Sequence, residues 1–232
     1  RRYRHLLGVG QKHPLKPALL GWRGTAFPDP VLAGTAAGRA QAEAGAEGME
    51  QWRGFTAATA PVRGRVVNRW LRRYAGVAWL EGEGIPACTP PPTHPILEHV
   101  KMEIVPLLLP LLAGSTVDFI NRDECRDNIT CAREPNKFSL WFTGADQMRS
   151  RRFDHPGLVD LLCKVHPDEW GTLAVLPTPF FALTDRRGRF TIPHAPPGTW
   201  RLRFAHPKLK EAEQKITVAA GRECAPVFRG LE

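Results

Sequence analysis

Cys163-Lys164-Val165-His166-Pro167-Asp168-Glu169 is the stretch whose reading governs the rest of the chain. A thiolate and an imidazole three residues apart share one loop, and both are ligands that soft and borderline metal ions accept. A blue-copper centre takes two imidazoles, one thiolate and a weak, long axial ligand, usually a methionine. Cys163 and His166 supply the thiolate and one imidazole. Glu169, three residues further on, stands where the axial methionine is expected. A carboxylate there is a harder ligand than a thioether and changes which ions the loop favours.

The 232 residues include 22 Pro and 21 Gly, with 43% hydrophobic residues. That length allows one large domain or two small ones. Proline is poorly tolerated inside helices and central strands, so its abundance favours short strands and long loops. A net charge of +9 points to an acidic partner, an anionic lipid surface or nucleic acid. Nucleic acid gains no further support, because the basic residues are scattered without an aromatic-basic stacking motif. The most apolar run, Ile104 to Leu112, contains two prolines and is too short to span a bilayer. No signal-peptide pattern follows Arg1-Arg2-Tyr3-Arg4.

Residues 1–60 show no period that would bury a face. They are expected to form an extended tail with one short helix around Ala40 to Gln51. Arg1, Arg2, Arg4, Lys12, Lys16 and Trp22 are the tail positions expected to meet a partner. From Val62 onward the pattern is all-β. Residues 61–176 are read as one domain and 177–232 as a second that has the strands of 62–82 within reach. The spacing predicts strands ending in Val77 to Leu80, at Thr116 to Ile120 after the turn Ala113-Gly114-Ser115, and at Phe138 to Phe142. Gly157 to Val165 and Gly171 to Leu176 flank the Cys/His loop, and Val100 to Leu112 holds one or two strands broken at Pro106 and Pro110. Phe180 to Thr184, Arg189 to Pro193, Trp200 to Phe204 and Lys215 to Val218 complete the series.

Five cysteines fit pairs plus one left over. Cys125 with Cys131 across a short loop, and Cys88 with Cys224 at long range, are the candidate bridges, although spacing does not fix connectivity. Such bridges favour an oxidising compartment. Asn128-Ile129-Thr130 fits a glycosylation acceptor. His94, His99, His155, His194 and His206 are scattered and are assigned no chemistry. There is no Ser/His/Asp set, phosphate loop or nucleotide fingerprint.

Several stretches keep a common order and spacing: Val77-Ala78-Trp79-Leu80-Glu81, Val105 to Phe119, Asn121-Arg122-Asp123, Pro156-Gly157, Cys163 to Pro167, Phe181 to Pro193, and Pro196-Pro197-Gly198-Thr199-Trp200. In these the chain resembles secreted cupredoxin-like proteins of the methylamine-utilisation or plastocyanin-like kind, from about Gly64 to Gly221. Those proteins join a copper β-sandwich to a carboxypeptidase-regulatory-like one. The resemblance implies an all-β fold: a cupredoxin-like Greek-key β-sandwich, then a small regulatory-type β-sandwich, with an irregular N-terminal extension. It also implies that Asp127 stands where the family's first copper His is found. Cys163, His166 and Glu169 take the other three ligand positions. Two of the four ligands thus become carboxylates, so a tuned type 1 centre is not expected. His206 falls on a family position and is read as structural.

The functional expectation is a non-catalytic structural or accessory subunit of a membrane-associated electron-transfer assembly, respiratory or photosynthetic, on its periplasmic face. Its partners would be other protein subunits, with a membrane surface reached through them or through an anchor. Neither a cofactor nor a small-molecule substrate is expected. The first alternative is a metal-binding electron carrier that holds copper or zinc with an altered Cys/His/carboxylate set. The second is a surface or carbohydrate-binding module. It would want a row of exposed aromatics, and the seven Trp, among them Trp22, Trp52, Trp70, Trp141 and Trp170, show no platform spacing.

Overall fold

A computed structural model describes residues 59–85 and 88–231. The expected helix around Ala40 to Gln51 and the partner positions Arg1, Arg2, Arg4, Lys12, Lys16 and Trp22 lie outside the described residues. In chain order the strands are β1 (Ala60–Val66), β2 (Val77–Glu81), β3 (Ile96–Val100), β4 (Glu103–Val105), β5 (Leu108–Leu112), β6 (Ser115–Asn121), β7 (Asp127–Cys131) and β8 (Phe138–Phe142). They continue with β9 (Gln147–Phe153), β10 (Gly157–Leu162), β11 (Trp170–Leu176), β12 (Phe181–Leu183), β13 (Arg189–Ala195), β14 (Gly198–His206), β15 (Leu209–Val218) and β16 (Val227–Phe228). One 3-10 turn, Arg69–Arg72, follows β1. Among the described residues no helix is long and apolar enough to cross a membrane.

The all-β, cupredoxin-like sandwich expected from the sequence is formed by residues 96–176. One sheet has the order β4-β3-β6-β9 and the other β5-β11-β10-β7-β8. Alternation along the strands supplies the core: Val117 and Phe119 of β6 point inward, while Thr116 and Asp118 are half-buried on the other face. Phe119, Phe138 and Phe153 meet at one pole with ring centroids 5.6 to 6.2 Å apart. Each such burial stabilises by roughly 1.5–3 kcal/mol. Pro110 does not break the chain as expected. It sits inside β5, opposite Ala174, at the edge of its sheet, where a missing N–H leaves no ladder bond unmade.

The second sandwich packs the sheet β13-β1-β16 on the sheet β12-β2-β14-β15. Its core includes Val62, Leu80, Phe190, Ile192, Trp200 and Phe204. Residues 60–81, placed by the sequence at the start of the 61–176 domain but within reach of the second unit, pair with strands that follow Pro177. Val62 faces Ile192, and Trp79 lies between Phe181 and Arg203. A third apolar cluster joins the sandwiches: Leu108, Ala174 and Leu176 from the first meet Val77, Trp79, Leu183 and Ala205 from the second. This contact explains why β5 is apolar on both faces.

Neither candidate disulfide is formed. β7 is extended, and that strand alone carries Cys131 about 13 Å from Asp127, in the direction away from Cys125. A bridge needs Cα atoms within about 7 Å. The Cys88 thiol donates to the Thr89 carbonyl (3.3 Å), and Cys224 packs against the second core as a thiol. The cysteines therefore carry no argument about compartment.

Candidate metal centre

The pole opposite the phenylalanine cluster is polar. Three segments meet there: the end of β3, the start of β7 and the connection from β10 to β11. In β3 the side chains of Leu97 and His99 fall on the inner face. Leu97 joins the apolar core, and His99 is fully buried one step nearer the pole. β7 begins with Asp127, paired with Phe142. The connection 163–169 is a tight loop: Cys163 N donates to the Glu169 carbonyl (3.3 Å) and Glu169 N to the His166 carbonyl (3.0 Å). The sulfur of Cys163 accepts from Val165 N (3.3 Å) and His166 N (3.2 Å). Two backbone donors thus fix its position.

Asp127, Cys163, His166 and Glu169 each offer one ligand atom, and these atoms all lie within 4.8 Å of one another. The four positions named from the sequence are therefore brought together. His166 Nδ1 is 3.7 Å from Cys163 Sγ, 3.4 Å from Asp127 Oδ1 and 3.1 Å from Glu169 Oε1. The Cys163 thiol donates to Asp127 Oδ1 at 2.9 Å. Zinc bonds of about 2.0–2.3 Å in a tetrahedron put neighbouring ligand atoms about 3.3–3.7 Å apart. The four separations given above match or are slightly shorter, and with the whole set inside 4.8 Å the cage needs only a modest adjustment to accept such an ion.

His99 is the member that the sequence reading missed. Its Nδ1 lies 2.6 Å from Asp127 Oδ2 and 3.5 Å from Glu169 Oε2. It faces the oxygens that point away from Cys163 and His166, so it braces both carboxylates from behind. The 2.6 Å contact is close but lacks the alignment of a hydrogen bond. Both oxygens of Glu169, Oδ2 of Asp127 and both ring nitrogens of His99 have no hydrogen-bond partner among the described residues. Buried polar atoms seldom stay unpaired. The sequence signal that was available was a histidine two positions after an inward leucine in a short apolar strand.

Burial sets the protonation. It pushes the Cys163 thiol up to about 11, with the bond to Asp127 acting in the same direction. Glu169 is raised by burial and then by the charge of Asp127. Burial alone would raise Asp127 too, but His99 and the Cys163 thiol outweigh it and hold its carboxyl below the usual range. Side-chain exposure is 0% for Asp127, 1% for Glu169 and 18% for His166, so His166 is the edge of the centre that meets solvent.

The surroundings hold this geometry. The buried Asn121 amide donates to the carbonyls of Asp123, Cys125 and Gly144 at 3.0 to 3.1 Å, shaping the loop into Asp127. Asp123 accepts from Lys101 N and Met102 N and ties down the turn after β3. Asn128 is fully buried, with its amide bonded to Ser139 and Leu140, so the glycosylation pattern is inaccessible in the folded chain. Trp170, next to Glu169, is gripped by the second sandwich: Tyr74 meets it edge-on at 5.4 Å, and Lys208 Nζ lies 4.3 Å above its ring.

No family model and no curated protein matches the chain. Solved structures do. A reduced mutant of amicyanin is 23% identical, over 43% of this chain and 98% of that one, with a TM-score of 0.34. A purple cupredoxin from Nitrosopumilus maritimus is 20% identical, over 35% and 98%, at 0.31. The copper-containing nitrite reductase from Thermus scotoductus is 21% identical, over 49% of this chain and 28% of that one, at 0.34.

Proposed function

We propose that this protein is a non-catalytic, metal-holding β-sandwich whose centre takes a zinc-like dication through Asp127, Cys163, His166 and Glu169. The convergence of four ligand atoms, three of them on buried residues, with carboxylate oxygens left unpaired, carries the reading. The set does not suit type 1 copper: a single imidazole enters the cage, and a carboxylate replaces the thioether. Two carboxylates, a thiolate and an imidazole suit a borderline divalent ion. When bound, that ion neutralises charge that the apolar core cannot solvate. The residues around it hold the cage: the backbone N–H groups of Val165 and His166 fix the sulfur, and His99 fixes both carboxylates.

Elemental analysis of the natively purified full chain tests this reading. One zinc per chain, absent from Cys163→Ser, is the expected result. A chain that carries no metal and does not take up added zinc one-to-one overturns it. The Cys163 thiol holds a proton that the ion must displace, so affinity rises with pH, by roughly tenfold per unit.

A second reading has its own support. The His99–Asp127 pair at 2.6 Å and the thiol bond to Asp127 let the cluster close on itself without an ion. Trp141, Leu162 and Val165 are exposed at the same pole. In this reading the chain is an accessory subunit of an extracytoplasmic electron-transfer assembly, and this apolar rim meets another subunit. A metal-free chain that co-purifies with such partners favours it.

A further inference from the structure

A second polar concentration lies in the other sandwich and is of the opposite sign. A cleft of about 790 Å³ opens between the end of β1, the 3-10 turn and the turn joining β12 to β13. Arg65, Arg69, Arg72, Arg186 and Arg187 line it, with Trp70 in its wall. Arg69 stacks near the Trp70 ring, 6.0 Å from its centroid. Among the described residues none of these five guanidinium groups forms an ion pair, and no acidic side chain lines the cleft. Their neighbours behave differently. Arg63, on the same strand, pairs with Glu223 at 2.7 Å. Arg189, beside the turn, pairs with Asp185 at 2.7 Å. Asp185 is the nearest acid in sequence to Arg186 and Arg187, and it is turned away: its carboxylate accepts from Arg187 N, Arg189 N and the Arg189 guanidinium. The acids of this region are thus used on arginines outside the cleft.

The backbone brings the two arginine-bearing segments together. Val66 N donates to the Gly188 carbonyl at 2.7 Å. A Cβ on Gly188 would stand 2.0 Å from the Val66 carbonyl oxygen, and its φ of +73° is one that glycine adopts without strain. Gly188 therefore allows the Arg186-Arg187 turn to lie directly against β1.

We propose that this cleft binds a clustered phosphate anion. Planar guanidinium forks match phosphate oxygens in pairs, and several forks around one concavity suit a ligand with more than one phosphate group. Volumes of 300–1,000 Å³ are usual for small-ligand sites. The same chemistry is presented by a phosphorylated lipid headgroup and by a soluble polyphosphate ester. The site is independent of the metal centre.

Calorimetric titration of the full chain with sodium tripolyphosphate is the test. The expected result is saturable one-to-one binding, weakened by roughly tenfold or more in Arg69→Gln/Arg186→Gln. A control pair on the first sandwich, Arg133→Gln/Arg149→Gln, removes the same charge and is expected to leave binding within about twofold. Equal losses in the two pairs, or no saturable binding, would overturn the site. Vesicles containing phosphatidic acid separate the sources. Vesicle binding that tripolyphosphate competes away, and that the cleft pair loses, assigns a headgroup; tripolyphosphate binding without vesicle binding assigns a soluble ester. Vesicle binding that survives the cleft pair, with no tripolyphosphate binding, rejects the proposal.

Discussion

The two sandwiches treat charge in opposite ways. The first gathers two carboxylates, two imidazoles and a thiol at one pole and closes them inside an apolar shell. The second spreads five guanidinium groups around an open cleft, where water solvates each of them. The cost of keeping charge differs accordingly. An ion taken out of water must be neutralised on the spot by a proton, a partner or a metal, and losing that partner is expensive. An exposed ion is screened, so its pairing contributes little to stability. Charge at the first pole is therefore part of the fold, while charge at the cleft is held available for a ligand.

Substitutions test that contrast. Asp127→Ala leaves the buried His99 ring and the Cys163 thiol without their shared partner and is expected to lower the unfolding free energy by about 3–5 kcal/mol in chelator-treated protein. Urea denaturation measures this, and a loss below about 1 kcal/mol would show that the pole tolerates the loss of a partner as a surface does.

His206 carries the comparison into the second sandwich, at a buried site. Lys208 N donates to its Nδ1 (3.0 Å) and its Nε2 faces the Tyr74 carbonyl (3.2 Å), which selects the neutral ring with the proton on Nε2. Burial depresses its pKa to about 4. The unfolded chain takes up this proton first, near pH 6.5, so stability is intact above that pH and falls as the pH drops toward 4. The full loss is roughly 3 kcal/mol. A pH series of urea midpoints should show a steeper slope between those values in the parent than in His206→Gln; equal slopes would remove His206 from the account.

Gly188→Ala is expected to cost about 2–3 kcal/mol, because it adds a Cβ at a positive φ and against the Val66 carbonyl. It should also weaken tripolyphosphate binding by moving the Arg186-Arg187 turn off β1. The smallest effect belongs to Arg69→Gln, expected to change stability by less than about 0.5 kcal/mol while reducing anion affinity. A large destabilisation there would erase the distinction between the two regions.

Legibility in the sequence followed locality. Cys163, His166 and Glu169 share one seven-residue loop, so spacing alone revealed three members of the centre. Asp127 emerged only through resemblance, since an isolated aspartate has no pattern of its own. His99 stayed hidden because β3 was not recognised as a strand: its pairing with β6 is parallel and its five residues contain both Glu98 and His99. β9 was equally unreadable, with Arg149, Arg151 and Arg152 in seven residues and one fully buried side chain, Phe153. The Cys125–Cys131 bridge failed because the segment between them is an extended strand. The place of β1 and β2 was left open between the two units for a different reason, as their partners lie more than 100 residues further along the chain.

That last feature dictates an order of events during synthesis. Residues 96–176 complete their own pairings and can close as soon as they emerge. β1 and β2 emerge earlier but have no partners until residues 181–218 follow, so they wait with their edges open. The first sandwich is in effect an insertion in the second, and the nascent chain must finish the inserted body before the host can close around its own beginning.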